Sequence, residues 1–312
     1  MSNLFTLKRE FLEYCELDKN QSYFTIDGYG RYLDRFLNFL KDEIKKENLF
    51  PNDITQEIVR RYRLHVNRLK DQQGSELKKT TQNYHILTLR AFLRYLAWRG
   101  IITLSPEKIA LGKSGDREIT FLDQKEIKEI FQQPDIETLA GVRDRAILEL
   151  LFSTGLRVSE LTSLDLDDIN FDRNEIAVLG KGKKIRVVFL SDEAIYWLDQ
   201  YVKNRGYRTP DTDESKNVTN PLFLSLKYTR LTSRSVERIV KKYAKEAGIT
   251  KNVSPHTFRH SFATDLLIGG ADIRSVQSML GHSSITTTQI YTHVTDQHLR
   301  ETFKKYHSKG GE

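Results

Sequence analysis

Two stretches of the chain decide its fold: residues 153–161 read STGLRVSEL, and residues 255–264 read PHTFRHSFAT. The first follows a helical pattern over 141–153, passes a helix-ending glycine and starts a short second helix at Arg157. The second stretch follows Ser254 and opens with a proline, which is favoured in the first turn of a helix. Arg157 and Arg259 are therefore predicted to lie on helices.

A β-hairpin is predicted between these two stretches. Residues 175–179 and 185–190 are rich in β-forming residues and flank the segment GKGK at 180–183. Two such runs around a glycine-containing loop are typical of a hairpin, here with Lys181 at its tip. The C-terminal two thirds is thus predicted to be an α+β domain, mainly helical with a small β-sheet. Its further helices are predicted after Asp123 and Ser191, over 232–247, and from Asp272 to Gly281.

The first third is predicted to be a compact helical bundle. Apolar residues repeat at helical spacing in four segments, and each would bury one stripe. These segments begin at Leu4, at Ile26 with Thr25 as its N-cap, and then cover 55–69 and 80–98. Turn-forming residues follow the last segment. They divide the chain into a helical bundle over 1–108, a linker over 109–117 and a second domain over 118–312.

The charge of the chain points to a polyanion as partner. The 312 residues carry a formal net charge of +7, and residues 1–110 hold 19 Lys and Arg against 14 Asp and Glu. Nucleic acid is the commonest polyanion that basic proteins bind. Lys78 and Lys79 of the bundle are therefore candidates for contacts with nucleic acid.

Cysteine content and hydropathy exclude other classes of protein. The single cysteine, Cys15, excludes an intramolecular disulfide and a cysteine-rich zinc site. Residues 1–16 lack the apolar core of a signal peptide, and no stretch is apolar for long enough to span a bilayer. We therefore expect a cytoplasmic protein with no membrane partner.

The second domain holds residues that suit cleavage of a phosphodiester without a metal. Such a reaction needs a nucleophile, cations for the pentacovalent phosphate and an acid for the leaving oxygen. The Arg fork binds two phosphate oxygens and stays charged, whereas Lys and His move protons. Backbone N–H groups at Arg157 also favour an anion. The candidates, in chain order, are Arg157, Lys181, His256, Arg259, His282 and Tyr291.

The order and spacing of these residues resemble the tyrosine recombinase (phage integrase) family. The resemblance extends to the phrases TGLRVSEL, GKGK, PHTFRHSFAT, MLGHSSITTT and IYTH, and it is most similar to the Xer branch. It implies a small helical (SAM-like) core-binding domain followed by a catalytic domain. Nothing precedes the bundle in this sequence, so the arm-binding domain of many phage integrases is expected to be absent.

The resemblance implies a role for each candidate residue. Tyr291 would attack the scissile phosphate and form a 3′-phosphotyrosyl link, while Arg157 and Arg259 clamp the non-bridging oxygens. Lys181 would protonate the leaving 5′-oxygen, and His256 would accept the tyrosine proton.

Other residues would support the same chemistry. His282 would hydrogen-bond the phosphate, and Glu160 would support Arg157. Lys183 and Lys184 compete with Lys181 for its role and are otherwise candidate DNA contacts. No cofactor and no metal are required, because the covalent link conserves the phosphodiester energy.

The resemblance also implies the partners. The target is duplex DNA, and four protomers, identical or of two related recombinases, would join two sites and exchange strands through a Holliday junction. The tail after Tyr291 has apolar residues at helical spacing and is expected to dock on a neighbouring protomer, the alternative being that it folds back on its own domain. These apolar residues are Val294, Leu299, Phe303 and Tyr306.

Several functions remain compatible with these residues. We favour Xer-like resolution of chromosome or plasmid multimers. The alternatives are a mobile-element (phage or transposon) integrase, a type IB topoisomerase that relaxes DNA, and a non-catalytic DNA-binding protein on the same fold.

Overall fold

The chain forms two compact units, residues 1–117 and 118–312, in a computed structural model. The structure describes residues 3–71, 74–112, 120–180, 185–206 and 220–281. Each unit is described by itself below.

The first unit is a helical bundle. Its helices are α1 (Leu4–Leu17), α2 (Tyr23–Ile44), α3 (Gln56–Arg68) and α4 (Lys79–Trp98), with short 3₁₀ turns at Pro51–Asp53 and Pro106–Lys108. The four helical segments predicted from apolar spacing are confirmed.

The N-cap predicted for α2 is wrong. The helix begins at Tyr23 with Ser22 as its N-cap, because the Ser22 carbonyl accepts the N–H groups of Thr25 and Ile26 at 2.9 and 3.1 Å. Thr25 therefore lies within the first turn, where its hydroxyl pairs with the Ser22 hydroxyl at 3.0 Å. The apolar pattern did not reveal this start, because the first residues of α2, Tyr23 and Phe24, are 76% and 82% exposed.

Aromatic rings fill the centre of the bundle. The ring of Phe11 on α1 lies 5.5 Å, centroid to centroid, from both Phe92 and Tyr95 on α4. Residues after α4 also pack on this bundle: Ile109 is buried in its core. The Asn83 side-chain amide forms two hydrogen bonds with the backbone of Gly112. It donates to the carbonyl at 2.9 Å and accepts the N–H at 3.1 Å.

A buried polar network crosses the bundle core. His85 on α4 is 1% exposed. Its Nε2 lies 3.2 Å from a guanidinium nitrogen of Arg35, and its Nδ1 lies 3.0 Å from the Tyr62 hydroxyl. Because Arg35 can only donate, Nε2 accepts, and the neutral ring carries its proton on Nδ1. Burial and the charge of Arg35 lower the pKa of His85 to about 4.

The second unit packs helices against one face of a small sheet. The helices are α5 (Gln124–Phe131), α6 (Leu139–Thr154), α7 (Val158–Ser163), α8 (Asp192–Asn204), α9 (Ser233–Glu246), α10 (Pro255–Ile268) and α11 (Ile273–Leu280). The strands are β1 (Ile169–Asn170), β2 (Glu175–Leu179) and β3 (Ile185–Phe189), after a 3₁₀ turn at Leu166–Asp168. The predicted fold class, mainly helical with a small β-sheet, is confirmed.

The sheet is antiparallel in the order β1-β2-β3, and β2 and β3 form the predicted hairpin. Strand β1 was not predicted, because two residues are too few for an alternating pattern. Ile176, Val178 and Val188 point into the core, whereas Val187 and Phe189 are 50% and 60% exposed. Arg186 pairs with Val178 across the hairpin and shares the inward face of β3 with Val188.

Side-chain caps begin the predicted helices of this unit. Asp123, Ser191 and Asp272 accept backbone N–H groups at the starts of α5, α8 and α11, as predicted. Gly281 ends α11 in the left-handed conformation, with φ of 63°. No helix in the described ranges is long and apolar enough to cross a membrane.

Gly155 brings the end of α6 close to α10. It follows the last residue of α6 with φ of 59°, a conformation that favours glycine. A Cβ atom at this position would lie 2.4 Å from the Phe262 ring on α10. Only a residue without a side chain fits here, so this glycine sets how closely the two helices approach.

The His85 network predicts a pH dependence of stability. Because the folded pKa lies below the unfolded value of about 6.5, the neutral ring stabilises the fold above that pH. This contribution, up to about 3 kcal/mol, is lost as the pH falls towards 4. The free energy of unfolding, measured in urea from pH 7 to pH 4, should therefore fall less steeply in His85→Gln than in the unsubstituted protein. Equal slopes in the two proteins would contradict this assignment.

The Gly155 contact predicts a loss of stability on adding one methyl group. Gly155→Ala combines left-handed backbone strain with a clash against Phe262. Gly248 provides a matched control, since its φ is 73° and nothing lies within 4 Å of an added Cβ. We expect Gly248→Ala to cost about 1 kcal/mol and Gly155→Ala about 2 kcal/mol more, measured by denaturant unfolding. Equal losses would show that the approach of α10 does not require a glycine.

Candidate active site

Arg157 lies at the junction of α6 and α7. The chain leaves α6 at Gly155, and Arg157 is the N-cap residue of α7. Its side chain is 32% exposed, so the guanidinium can reach a ligand from solvent. One of its nitrogens donates to the Gly281 carbonyl at 3.4 Å.

Glu160 organises this junction. Its carboxylate accepts the backbone N–H of Arg157 at 2.9 Å and the Arg157 guanidinium at 2.7 Å. The sequence suggested that N–H groups here would favour an outside anion, but Glu160 already occupies the first of them. The same carboxylate also accepts two hydrogen bonds from Arg186, at 3.0 and 2.8 Å. Burial acts to raise the pKa of Glu160, but the hydrogen bonds from Arg186 and Arg157 outweigh it and lower the pKa to about 2.

Arg259 connects α10 to the same place. Its side chain is 4% exposed and donates to the Gly155 carbonyl at 2.6 Å and to the Leu280 carbonyl at 2.7 Å. Arg157 and Arg259 therefore contact consecutive carbonyls, those of Gly281 and Leu280, at the C-terminal end of α11. These two arginines, 102 positions apart in the chain, are brought together by backbone acceptors.

His256 is the second residue of α10, one turn before Arg259, and its side chain is only partly open to solvent. Partial burial, together with the charges of Arg259 and Arg157, lowers the pKa of His256. The ring is therefore neutral near pH 7 and able to accept a proton. The neighbouring His260 is half-buried, and burial lowers its pKa to about 4.

The remaining predicted site residues fall outside the described part of the chain. This holds for the candidate acid and its two neighbours in the hairpin loop, and for the candidate phosphate ligand and nucleophile after α11. They are Lys181, Lys183, Lys184, His282 and Tyr291.

Sequence reasoning missed Arg186. Its side chain is 14% exposed and, besides its two bonds to Glu160, its Nε donates to the Met279 carbonyl at 3.3 Å. The signal was available in the strand pattern, because Arg186 shares a face with Val188, and a charge on an inward face requires a partner. The partner, Glu160, is 26 positions earlier in the chain and could not be identified from spacing.

The described site is a cluster of cations with one carboxylate. Arg157, Arg186 and Arg259 surround the chain segment at the end of α11, and Glu160 balances one of these charges. Such a cluster suits a phosphate, because planar guanidinium groups bind two of its oxygens. Within the described ranges, no group of three His, Cys, Asp or Glu side chains could hold a metal ion.

The first unit carries a separate polar groove between α3 and α4. It has a volume of about 430 Å³, and its lining includes Arg60, Arg63, Lys79 and Gln82. Lys79 donates to the side chain of Asn67 at 2.6 Å, and Lys78 is exposed beside it. Both predicted basic candidates of the bundle are thus accessible to a polyanion.

Comparison with known proteins agrees with this arrangement. The description "Phage integrase, N-terminal SAM-like domain" matches residues 9–100, and "Phage integrase family" matches residues 120–298. Tyrosine recombinase XerC of Pelotomaculum thermopropionicum is 37% identical over 96% of this chain and 97% of its own length. Tyrosine recombinase XerD of Staphylococcus haemolyticus is 35% identical over 97% of this chain and 99% of its own length.

A solved structure shows the same fold. A XerH site-specific recombinase, bound to palindromic difH substrate in a post-cleavage complex, superposes with a TM-score of 0.71. It is 23% identical, and the match covers 95% of this chain and 83% of that protein. With both family descriptions matched and relatives similar over nearly the full length, the chain belongs to the phage integrase family as a tyrosine recombinase of the Xer-like branch.

Proposed function

We propose that this recombinase cleaves and rejoins DNA at a specific site through a 3′-phosphotyrosyl intermediate. The observation that carries the proposal is the convergence of Arg157 and Arg259 on the last carbonyls of α11. His282 follows that helix directly, and Tyr291 comes nine positions later. The two guanidinium groups are thus anchored beside the segment that leads to the proposed nucleophile.

The proposed cleavage is a transfer of the phosphate from one oxygen to another. The Tyr291 hydroxyl forms a bond to phosphorus as the bond to the 5′-oxygen breaks, and the DNA 3′-phosphate becomes a tyrosyl ester. His256, neutral near pH 7, accepts the tyrosine proton, and Lys181 donates a proton to the leaving 5′-oxygen.

The phosphate itself is held by cations. Arg157 and Arg259 bind the non-bridging oxygens, His282 adds a hydrogen bond, and Glu160 orients Arg157. Rejoining reverses the step, with a 5′-hydroxyl as the attacking group. No external energy source is needed, because the tyrosyl ester replaces one phosphate ester with another.

The two parts of the chain divide the work in this proposal. The bundle over 1–108 binds duplex DNA, residues 109–117 link the parts, and residues 118–312 carry the chemistry. Lys78 and Lys79 contact the DNA backbone, and Lys183 and Lys184 are further candidates. Backbone contacts of this kind make affinity fall with salt concentration.

The biological role we propose is resolution of chromosome or plasmid multimers. The named XerC and XerD relatives, at 35–38% identity over nearly the full chain, support an Xer-like role over that of a mobile-element integrase. Four protomers, identical or of two related kinds, would join two sites and exchange strands in pairs through a Holliday junction.

The tail after Tyr291 is proposed to join neighbouring protomers. The second unit has an apolar groove of about 650 Å³, and its lining includes Phe131, Phe152, Phe262 and Leu266. The apolar residues of the tail would suit such a groove on a neighbouring protomer. The alternative occupant is the tail of the same protomer.

The nucleophile assignment predicts a trapped covalent complex. Duplex DNA nicked near a candidate site should yield a denaturant-resistant protein–DNA band, because the released fragment diffuses away and rejoining fails. Tyr291→Phe should abolish the band. Arg157→Ala should weaken its formation by about a hundredfold or more, as loss of a phosphate-binding donor does. Tyr196→Phe, at an exposed tyrosine on α8, is the matched control and should behave as the unsubstituted protein. A band that survives in Tyr291→Phe would refute the assignment.

If the tail joins protomers, a protein without it should still bind DNA but should not recombine it. Removing residues from Asp296 onward should abolish recombination between two sites, because protomers no longer connect. Binding to a single site, measured by gel shift, should persist. Normal recombination by the truncated protein would show that docking is not required.

A further inference from the structure

Arg186 takes no part in the cleavage step described above, yet it contacts both Glu160 on α7 and the end of α11. Its Nη1 and Nη2 donate to the two carboxylate oxygens of Glu160 at 3.0 and 2.8 Å. Its Nε donates to the Met279 carbonyl at 3.3 Å. A Cβ atom at Gly281 would lie 3.1–3.2 Å from the Arg186 side chain. One guanidinium thus fastens β3 to the start of α7 and the end of α11.

The charges explain why a second arginine is needed at Glu160. Both carboxylate oxygens are shared, because Arg157 also donates to them through its guanidinium and its backbone N–H. With Arg186 in place, the group of Arg157, Arg186 and Glu160 has a net charge of +1. Without Arg186, Arg157 and Glu160 would form a neutral pair, which attracts a phosphate far less strongly.

The geometry leads to the same conclusion. A carboxylate with a single arginine partner can draw both of that partner's terminal nitrogens into a bidentate pair. In this structure Arg186 holds that bidentate position, and Arg157 gives Glu160 one guanidinium nitrogen while the other faces the Gly281 carbonyl at 3.4 Å. The 32% exposure of the Arg157 side chain leaves it open to a ligand.

We propose that Arg186 is a positioning residue for strand cleavage: by satisfying Glu160, it keeps the charge and the fork of Arg157 available to the scissile phosphate. The inference rests on the proposed function, since it assumes that Arg157 binds that phosphate. Arg186 itself contacts no substrate in this scheme and acts through Glu160.

The test is a double-variant comparison of single-turnover cleavage at saturating nicked DNA. Arg186→Met should slow formation of the covalent complex by about tenfold to a hundredfold, since Arg157 is still present but is neutralised. Adding Glu160→Gln to that variant should recover most of the rate, because Arg157 regains its uncompensated charge. Arg186→Lys, which keeps one cation beside Glu160, should remain within about threefold of the unsubstituted protein. Arg173→Met, at an exposed arginine in the turn before β2, is the matched control.

A substrate with an uncharged phosphate distinguishes this positioning role from a purely structural one, because a purely structural defect would be equal on both substrates. A methylphosphonate at the scissile position removes one negative charge and with it much of the need for Arg157. The defect of Arg186→Met should therefore shrink to within about threefold on this substrate, as should that of Arg157→Ala. The melting temperature of Arg186→Met shows whether this variant folds. If it does not, the same two substrates are tested with Arg186→Lys and with Arg186→Gln in the Glu160→Gln background.

The opposing outcomes are distinct. The inference fails if the double variant is as slow as Arg186→Met or slower, if Arg186→Met cleaves at the unsubstituted rate, or if its defect is equal on charged and neutral phosphates. Failure of the proposed function would look different: the unsubstituted protein would form no tyrosine-dependent complex, or Arg157→Ala would cleave normally.

Discussion

The described site depends on one buried carboxylate shared by two guanidinium groups. Glu160 is 6% exposed and remains ionised, so its buried negative charge must be balanced by neighbouring cations and hydrogen-bond donors. Arg157 and Arg186 supply it together with a backbone N–H group. Breaking a buried ion pair by removing one partner is costly, because a charge is then left without compensation. This requirement joins strand β3 to the start of α7, and the same two arginines also donate to carbonyls at the end of α11.

Helix termini provide the second constraint. The last carbonyls of a helix have no partner within it, and a buried terminus must find donors elsewhere. At the end of α11, the Met279, Leu280 and Gly281 carbonyls accept from Arg186, Arg259 and Arg157 respectively. Three arginines thus satisfy backbone acceptors and, by doing so, gather positive charge at one point. The hydrogen bonds that satisfy the end of α11 thus also place three guanidinium groups where we propose that the phosphate binds.

The glycines at this site follow from the same closeness. Gly155 allows α6 to end against the Phe262 ring and offers its carbonyl to Arg259. Gly281 lies against the Arg186 guanidinium. Each is also in the left-handed conformation, so each meets a backbone and a packing requirement together. A side chain at either position would push apart elements that carry Arg157, Arg186 and Arg259.

The sequence by itself determined the helices, most of their caps and the hairpin. It also predicted Arg157, His256 and Arg259 as site residues, and the structure brings Arg157 and Arg259 together at the end of α11. These features are local, since apolar spacing, capping side chains and short motifs act over a few positions. The start of α2, strand β1 and Arg186 were decided by tertiary structure. The apolar pattern did not reveal Ser22 as the N-cap of α2, because the first turn of this helix is exposed. Strand β1 exists only through its pairing with β2. The role of Arg186 depends on Glu160 and Met279, which lie 26 and 93 positions away in the chain, and only folding brings their acceptors to one guanidinium.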